Sequence, residues 1–321
     1  MRLVAKTTLA GRGLWARRQD HVVARGSQSE RRSGRSARRV AGTVIGGLAL
    51  LALLSSCSVE DAFYFGWPKG GITPQSQRMF DLWIGSTVAA LAVGVFVWGL
   101  IFWCIIRYRK RGDVLPPQTR YNLPIELIYS VAPFLVVSVL FYYTAVVQTD
   151  VNRLPPNPDL TVAVQASRWN WTFAYPNTIG PDRTPVATVG SSDYIPVLVV
   201  PTNKRIRFVE HAPEHDVIHS FWVPALLFKR DVFPGNVINQ FETTILTPGS
   251  YVGRCAELCG TYHSMMNFEL RAVSPEKFDA FLAAKQTGAS TPAALQSIGE
   301  APFATTTAPF PTKRNADNAT G

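Results

Sequence analysis

The sequence predicts a membrane-anchored all-β protein, a two-helix transmembrane hairpin followed by a β-sandwich. Three observations predict it. Two apolar runs between residues 82 and 147 are each long enough to cross a bilayer. About 115 residues of short, β-branched and aromatic segments with turn punctuation follow them. Within that stretch, Cys255-Ala-Glu-Leu-Cys-Gly-Thr-Tyr-His-Ser-Met-Met266 gathers two thiols, an imidazole and two thioethers in one loop-sized segment.

Residues 1–56 read as a leader. An apolar run over 40–54 stands behind Arg38-Arg39 and has the length of a signal-peptide core, short for a span. It ends in Leu54-Ser55-Ser56-Cys57, which resembles a bacterial lipoprotein box with Cys57 as the lipidated first residue of the mature chain. Residues 57–81 form an extracytoplasmic segment. The first helix of the hairpin covers 82–106, which has no charged residue and measures about 37 Å as a helix. The second covers 126–147, so the hairpin occupies 82–148. Between them Arg107, Arg109, Lys110, Arg111 and Arg120 mark a cytoplasmic loop by the positive-inside rule. The lipobox requires the same orientation, which leaves everything after the hairpin outside the membrane. Glu126 opens the second helix at the cytoplasmic edge. It reads either as a dipole-favoured helix start or as a carboxylate where protons enter.

Strands are expected over 161–175, 195–201, 204–210, 237–246 and 266–273, with 177–193 as a long surface loop. Ser274-Pro275 starts a short helix that Gly288 closes, so the strand-rich domain spans 150–285. The Ala, Thr and Pro of 286–321 give a disordered tail.

Charge excludes one class of function. Of the net +10, nearly all sits in the first 40 residues, where ten arginines and Lys6 face Asp20 and Glu30. No basic face remains for nucleic acid once the leader is set aside. The four cysteines supply no disulfide framework, although a Cys255–Cys259 bridge is the bland reading of that pair.

Thiolate, thioether and imidazole together are the soft and borderline donors that suit copper. His219, 36 residues before Cys255 in His215-Asp-Val-Ile-His-Ser-Phe-Trp-Val-Pro224, adds a second imidazole. Zinc competes, but Cys-x3-Cys-x3-His with a distant fourth ligand is an unusual finger spacing, and the methionines add nothing for it. A one-copper blue site needs a single Cys; the second Cys lets two thiolates bridge two ions.

Cys255-x-Glu257-x-Cys259-x3-His263-x2-Met266, with His219 upstream, resembles the ligand pattern of the cytochrome c oxidase subunit II family. The hairpin matches that family's anchor, and the likeness spans roughly residues 75–285. It implies a cupredoxin-like Greek-key sandwich holding two copper ions, the binuclear copper A centre. By it Cys255 and Cys259 bridge both coppers, and His219 and His263 are terminal ligands. Met266 ligates one copper and the Glu257 backbone carbonyl the other. The Glu257 side chain serves a Mg²⁺ site shared with subunit I. Met265, His211 and His215 carry no ligand role. Trp169, in Arg168-Trp-Asn-Trp-Thr-Phe-Ala-Tyr175, becomes the electron entry with Trp171 behind it, and Glu126 the mouth of a proton channel.

The family's activity implies electron transfer from cytochrome c to haem in subunit I, oxygen reduction to water and proton pumping. The implied partners are oxidase subunits I and III, cytochrome c and membrane lipid, at a bacterial plasma membrane. A nitric or nitrous oxide reductase subunit shares the ligands, and the hairpin with Glu126 favours the oxidase. A quinol-oxidase subunit lacks the ligands, a copper-delivery lipoprotein lacks His-x2-Met beside the Cys pair, and a structural zinc lipoprotein predicts a colourless protein.

Overall fold

The computed structural model describes residues 71–309 apart from 114 and 116, together with residues 42, 43, 46, 47 and 64. Most of the leader, the lipobox at Cys57, most of the 57–81 segment and the last twelve residues lie outside the described residues.

Helix α1 (Pro74–Arg107) begins eight residues before the apolar run. Thr73 and Ser76 form a reciprocal capping box, and Pro74 takes the first helical position. Those local signals extend the helix beneath its apolar stretch, and Ser76 and Phe80 of the extension are buried. Helix α2 (Leu123–Val151) starts at Asn122 and runs through Pro133. Both helices are long and apolar enough to cross a membrane. They present their apolar side chains outward, with Val95, Ile106 and Phe141 among the most exposed. Arg78 and Asp150 close the hairpin at the sandwich end, 2.8 Å apart. At the other end Glu126 accepts the Asn122 N–H at 3.0 Å, so its side chain caps α2.

The sandwich has ten strands: β1 (Leu160–Ser167), β2 (Asn170–Ile179), β3 (Pro185–Val189), β4 (Val197–Pro201), β5 (Arg205–His211), β6 (His219–Val223), β7 (Phe228–Val232), β8 (Asn239–Thr244), β9 (Gly249–Cys255) and β10 (Asn267–Val273). One sheet has the order β3-β2-β1-β5-β8 and the other β4-β10-β9-β6-β7. The pairs β1–β5 and β4–β10 are parallel, and the rest are antiparallel. This Greek-key arrangement puts alternate residues of each strand inward. Phe221 lies at the centre, with ring centroids 4.7 Å from Phe268 and 5.7 Å from both Phe208 and Phe241. Gly253 is required there, since a Cβ would fall 2.2 Å from the Phe268 ring.

The single strand expected over 161–175 is two strands, β1 and β2, folded back at Arg168-Trp169. The 177–193 stretch is not all loop either, because β3 pairs with β2 and buries Val186 and Thr188. The disordered tail is also corrected. After α3 (Pro275–Gln286), helix α4 (Thr291–Ser297) is capped by Ser290 and buries Ala294 and Leu295. Residues 301–306 then strap the outer face of β10. Arg271 donates to the carbonyls of Ala301 and Phe303, and Glu269 accepts from the N–H groups and hydroxyls of Thr305 and Thr306. Two polar side chains on β10 hold the strap down, beside the packing of Ala304 on the core and of Phe303 against Tyr194.

The link between α2 and β1 is fastened from the side. Arg205 donates to the carbonyls of Pro156 and Asn157, and Arg207 to that of Pro155. Glu242 on β8 pairs with both arginines, at 3.4 Å and 2.9 Å. Ile72 bonds Ala225 and Leu246 through its backbone, which ties the start of the hairpin to the same end of the sandwich.

Candidate metal centre

Three pieces of chain build the site: the first residue of β6, the last residue of β9, and the loop to β10. The Cys255 N–H donates to Met266 O at 3.1 Å and the Ala256 N–H to Ser220 O at 3.0 Å, which pins the loop's two ends beside β6. A single 3-10 turn, His263–Met265, folds the loop inward. Two indoles hold it from below. Trp169 donates to Cys259 O at 3.0 Å, and Trp171 to Met266 O at 3.2 Å. Gly260 has φ of 115°, and a Cβ there would sit 3.3 Å from the Trp169 ring. The loop can pass over that indole only with glycine at this position.

The donor atoms converge. The Cys255 and Cys259 sulfurs lie 3.8 Å apart, and both thiols are free and buried. That separation rules out a disulfide, whose sulfurs stand at about 2.05 Å. His219 Nδ1 is 3.8 Å from Cys255 Sγ, and His263 Nδ1 is 3.5 Å from Cys259 Sγ. Met266 Sδ is 3.9 Å from Cys259 Sγ, and the Glu257 carbonyl oxygen is 3.3 Å from Cys255 Sγ. Each sulfur–nitrogen gap is shorter than a metal–sulfur and a metal–nitrogen bond together, about 4.3 Å, so one ion can touch both atoms. His219, Cys255 and Cys259 form a buried set with all donor atoms within 4.8 Å of one another.

The electrostatics ask for a cation. Burial, then the facing Cys255, pushes the Cys259 thiol up to about 12. The protein alone therefore holds Cys259 as a thiol, and a bound cation favours its thiolate. Burial keeps His219 neutral by depressing its pKa against the pull of Asp216, and a neutral imidazole is the ligand form.

Asp216 was not legible as a site residue. Its Oδ1 lies 3.1 Å from His219 Nε2, which leaves Nδ1 aimed at Cys255. Burial opposes its charge, but the N–H groups of Val217 and Arg168, with His219, outweigh that and hold the carboxyl below its ordinary value. Arg168 braces it with an ion pair at 3.1 Å. The Asp three residues before a His was the only available sequence signal. The other expected residues are placed as follows. Glu257 is exposed in the loop, Met265 faces half outward, and His215 is exposed while His211 closes β5. Trp169 is half-buried and meets the exposed Tyr262 edge to face at 4.9 Å. Trp171 is fully buried and packs against His219. Glu126 stands apart, at the far end of α2.

Residues 160–273 match the model of the family described as cytochrome C oxidase subunit II, periplasmic domain. The chain is also 43% identical over 348 residues to the probable cytochrome c oxidase subunit 2 of Nocardia farcinica, covering 90% of this chain and 92% of that one. The chain belongs to the cytochrome c oxidase subunit 2 family. The subunit 2 of Mycobacterium tuberculosis is 41% identical over 319 residues, 83% of this chain and 87% of its own. Among solved structures, the periplasmic domain of subunit II (CoxB) of Bradyrhizobium japonicum aligns with a TM-score of 0.36 at 29% identity, covering 41% of this chain and 97% of that one. Membership makes the sandwich the cupredoxin-like domain of this family and the apolar helices a fitting membrane anchor. It also makes the chain one subunit of an oxidoreductase, with a His/Cys/Cys cluster consistent with copper.

Proposed function

We propose that this chain is the electron-entry subunit of a respiratory cytochrome c oxidase. It takes electrons from cytochrome c and passes them to haem in subunit I, where oxygen is reduced to water with proton pumping; subunit III and membrane lipid complete its surroundings. The observation that carries this reading is the placement of two free thiols 3.8 Å apart, each faced by its own imidazole. Such a symmetric set suits a pair of ions better than one.

In this reading Cys255, Cys259, His219 and His263 would hold two copper ions, the thiolates shared and one imidazole to each, with Met266 and the Glu257 carbonyl as further donors. Copper bound there supplies one-electron redox chemistry of the copper A type. β6 and Asp216 fix His219, and the two indoles fix the loop backbone, an arrangement that would hold the donors in one geometry as the metal changes oxidation state. Trp169, half-exposed and bonded to Cys259 O, is the electron entry, and Trp171 beneath it is a packing residue of the site. The exposed Glu257 side chain supplies a Mg²⁺ site shared with subunit I. Glu126, which caps α2 at the opposite end, is the candidate proton entry. The arginine-rich loop lies on the cytoplasmic side of a bacterial plasma membrane, the copper domain outside, and Cys57 carries the lipid.

The test is copper loading of the full chain in detergent, followed by metal analysis and EPR. Two coppers per chain and a purple protein are expected. One copper per chain, or a colourless zinc form, overturns the binuclear assignment.

A further inference from the structure

Trp169 does not meet solvent on its own. The metal-site loop crosses its indole at Gly260, where a Cβ would sit 3.3 Å from the ring. Tyr262 adds a second cover, edge to face with Trp169, the centroids 4.9 Å apart and the planes at 84°. Trp169 is half-buried under this cover, whereas Tyr262 keeps 40% of its surface exposed. Of the two touching rings, the tyrosine is the outer one.

The backbone holds that ring in place. Tyr262 starts the single 3-10 turn of the loop, and its carbonyl accepts the Met265 N–H at 2.9 Å. The next residue, His263, donates its N–H to Gly260 O at 3.1 Å. On the inner side, Trp169 donates to the carbonyl of Cys259, the residue whose sulfur lies 3.8 Å from Cys255 Sγ. Contacts therefore run in an unbroken line from solvent through Tyr262 and Trp169 to Cys259. The same loop leaves Leu258 78% exposed, and apolar groups displayed over a site suit transient protein docking.

We propose that Tyr262 is the outermost group of the electron path, the ring against which a c-type cytochrome sets its haem edge, with Trp169 second in line. This rests on the electron-entry reading of Trp169. One electron tunnels from the donor's reduced haem through the two rings and the Trp169–Cys259 hydrogen bond. The haem iron is oxidised, the metal centre is reduced by one electron, and no bond or proton changes place. The path needs the ring of Tyr262, not its hydroxyl.

The test uses the full chain in detergent, first without metal. With isotope-labelled tryptophan, the Trp169 indole N–H is the NMR resonance that Trp169→Phe removes. Tyr262→Leu should shift that resonance by taking away the facing ring, and Tyr262→Phe should return it towards its wild-type position. The copper-loaded chain is then mixed with saturating reduced soluble cytochrome c, and the first-order rate of haem oxidation is followed. Trp169→Phe and Tyr262→Leu should each slow it severalfold, and Tyr262→Phe should restore it. The EPR spectrum and the reduction potential of Tyr262→Leu should match those of the wild type, which a disturbed loop would not allow. Tyr262→Leu at the wild-type rate, with Trp169→Phe slow, overturns the outer role of Tyr262 and leaves the entry reading standing. Trp169→Phe at the wild-type rate overturns both. An unmoved Trp169 resonance or an altered EPR spectrum in Tyr262→Leu, or a Tyr262→Phe protein as slow as Tyr262→Leu, overturns the ring-to-ring path.

Discussion

Two polar clusters, both buried and both built on the β9–β10 pair, are answered in opposite ways. At the outer face of β10, Glu269 and Arg271 form an ion pair. The strap supplies almost everything else, leaving only the Arg271 Nε without a partner. Burial opposes the Glu269 charge, yet the N–H groups of Thr306 and Thr305 and the guanidinium overcome it and lower the pKa. At the strand ends, Cys255 and Cys259 face each other with imidazoles and a thioether around them, and among the described residues no Lys or Arg bonds to either thiol. The first cluster balances its own charge and is architecture. The second is left short of positive charge by the protein, and that deficit, in soft donors, is what distinguishes a cofactor site from a structural one.

Breaking the second cluster should have the larger effect. Cys255→Ser or Cys259→Ser should abolish the paired-copper EPR spectrum while leaving the fold intact by circular dichroism. Next comes the strap. Ending the chain at Glu300 removes every partner but Arg271 from Glu269 and should cost about 3–5 kcal/mol in denaturant unfolding. The copper spectrum of the surviving folded protein should not change; if it did, the two clusters would not be independent. Asp216→Ala sharpens the comparison by removing the orienting partner of His219 alone, and should weaken copper binding about 10–100-fold in a competition titration.

The smallest effect concerns pH. A carboxyl that stays protonated in the folded state, while the unfolded chain releases its proton, makes stability fall as pH rises. Glu210 on β5 is such a carboxyl, completely buried with neither oxygen hydrogen-bonded, and burial raises its pKa well above the carboxylate range. Its fall begins at the ordinary carboxylate value and continues until its raised folded value. Glu210→Gln should therefore flatten the stability profile over that window, and a profile that kept the wild-type slope would assign the slope to other groups.

What could be read from the sequence follows from where each interaction resides. The proposed metal donors from Cys255 to Met266 could be picked out because donor identity and spacing are local, and one loop carries five of the six. Asp216 was not, because its role depends on a register that brings it to His219 and on Arg168 from another hairpin. The apolar helices were legible from composition, but the start of α1 was hidden by Arg78 and Asp81, which resemble a boundary until Thr73 and Ser76 are seen as a cap. Strand β7, with Lys229, Arg230 and Asp231 among its five residues, has no alternation that favours a strand, and its pairing with β6 decides it. The 301–306 strap is held by side chains some thirty residues earlier, which tail composition cannot reveal.

The fastening of residues 155–157 by Arg205, Arg207 and Glu242 has a kinetic consequence. A domain hung on a slack tether sweeps through a volume, and each electron delivery must wait for a favourable pose. Here the tether is splinted, so the metal-site loop keeps one distance from the hairpin. If the chain passes electrons as proposed, its hops should follow one exponential with one tunnelling distance, and solvent viscosity should not slow them.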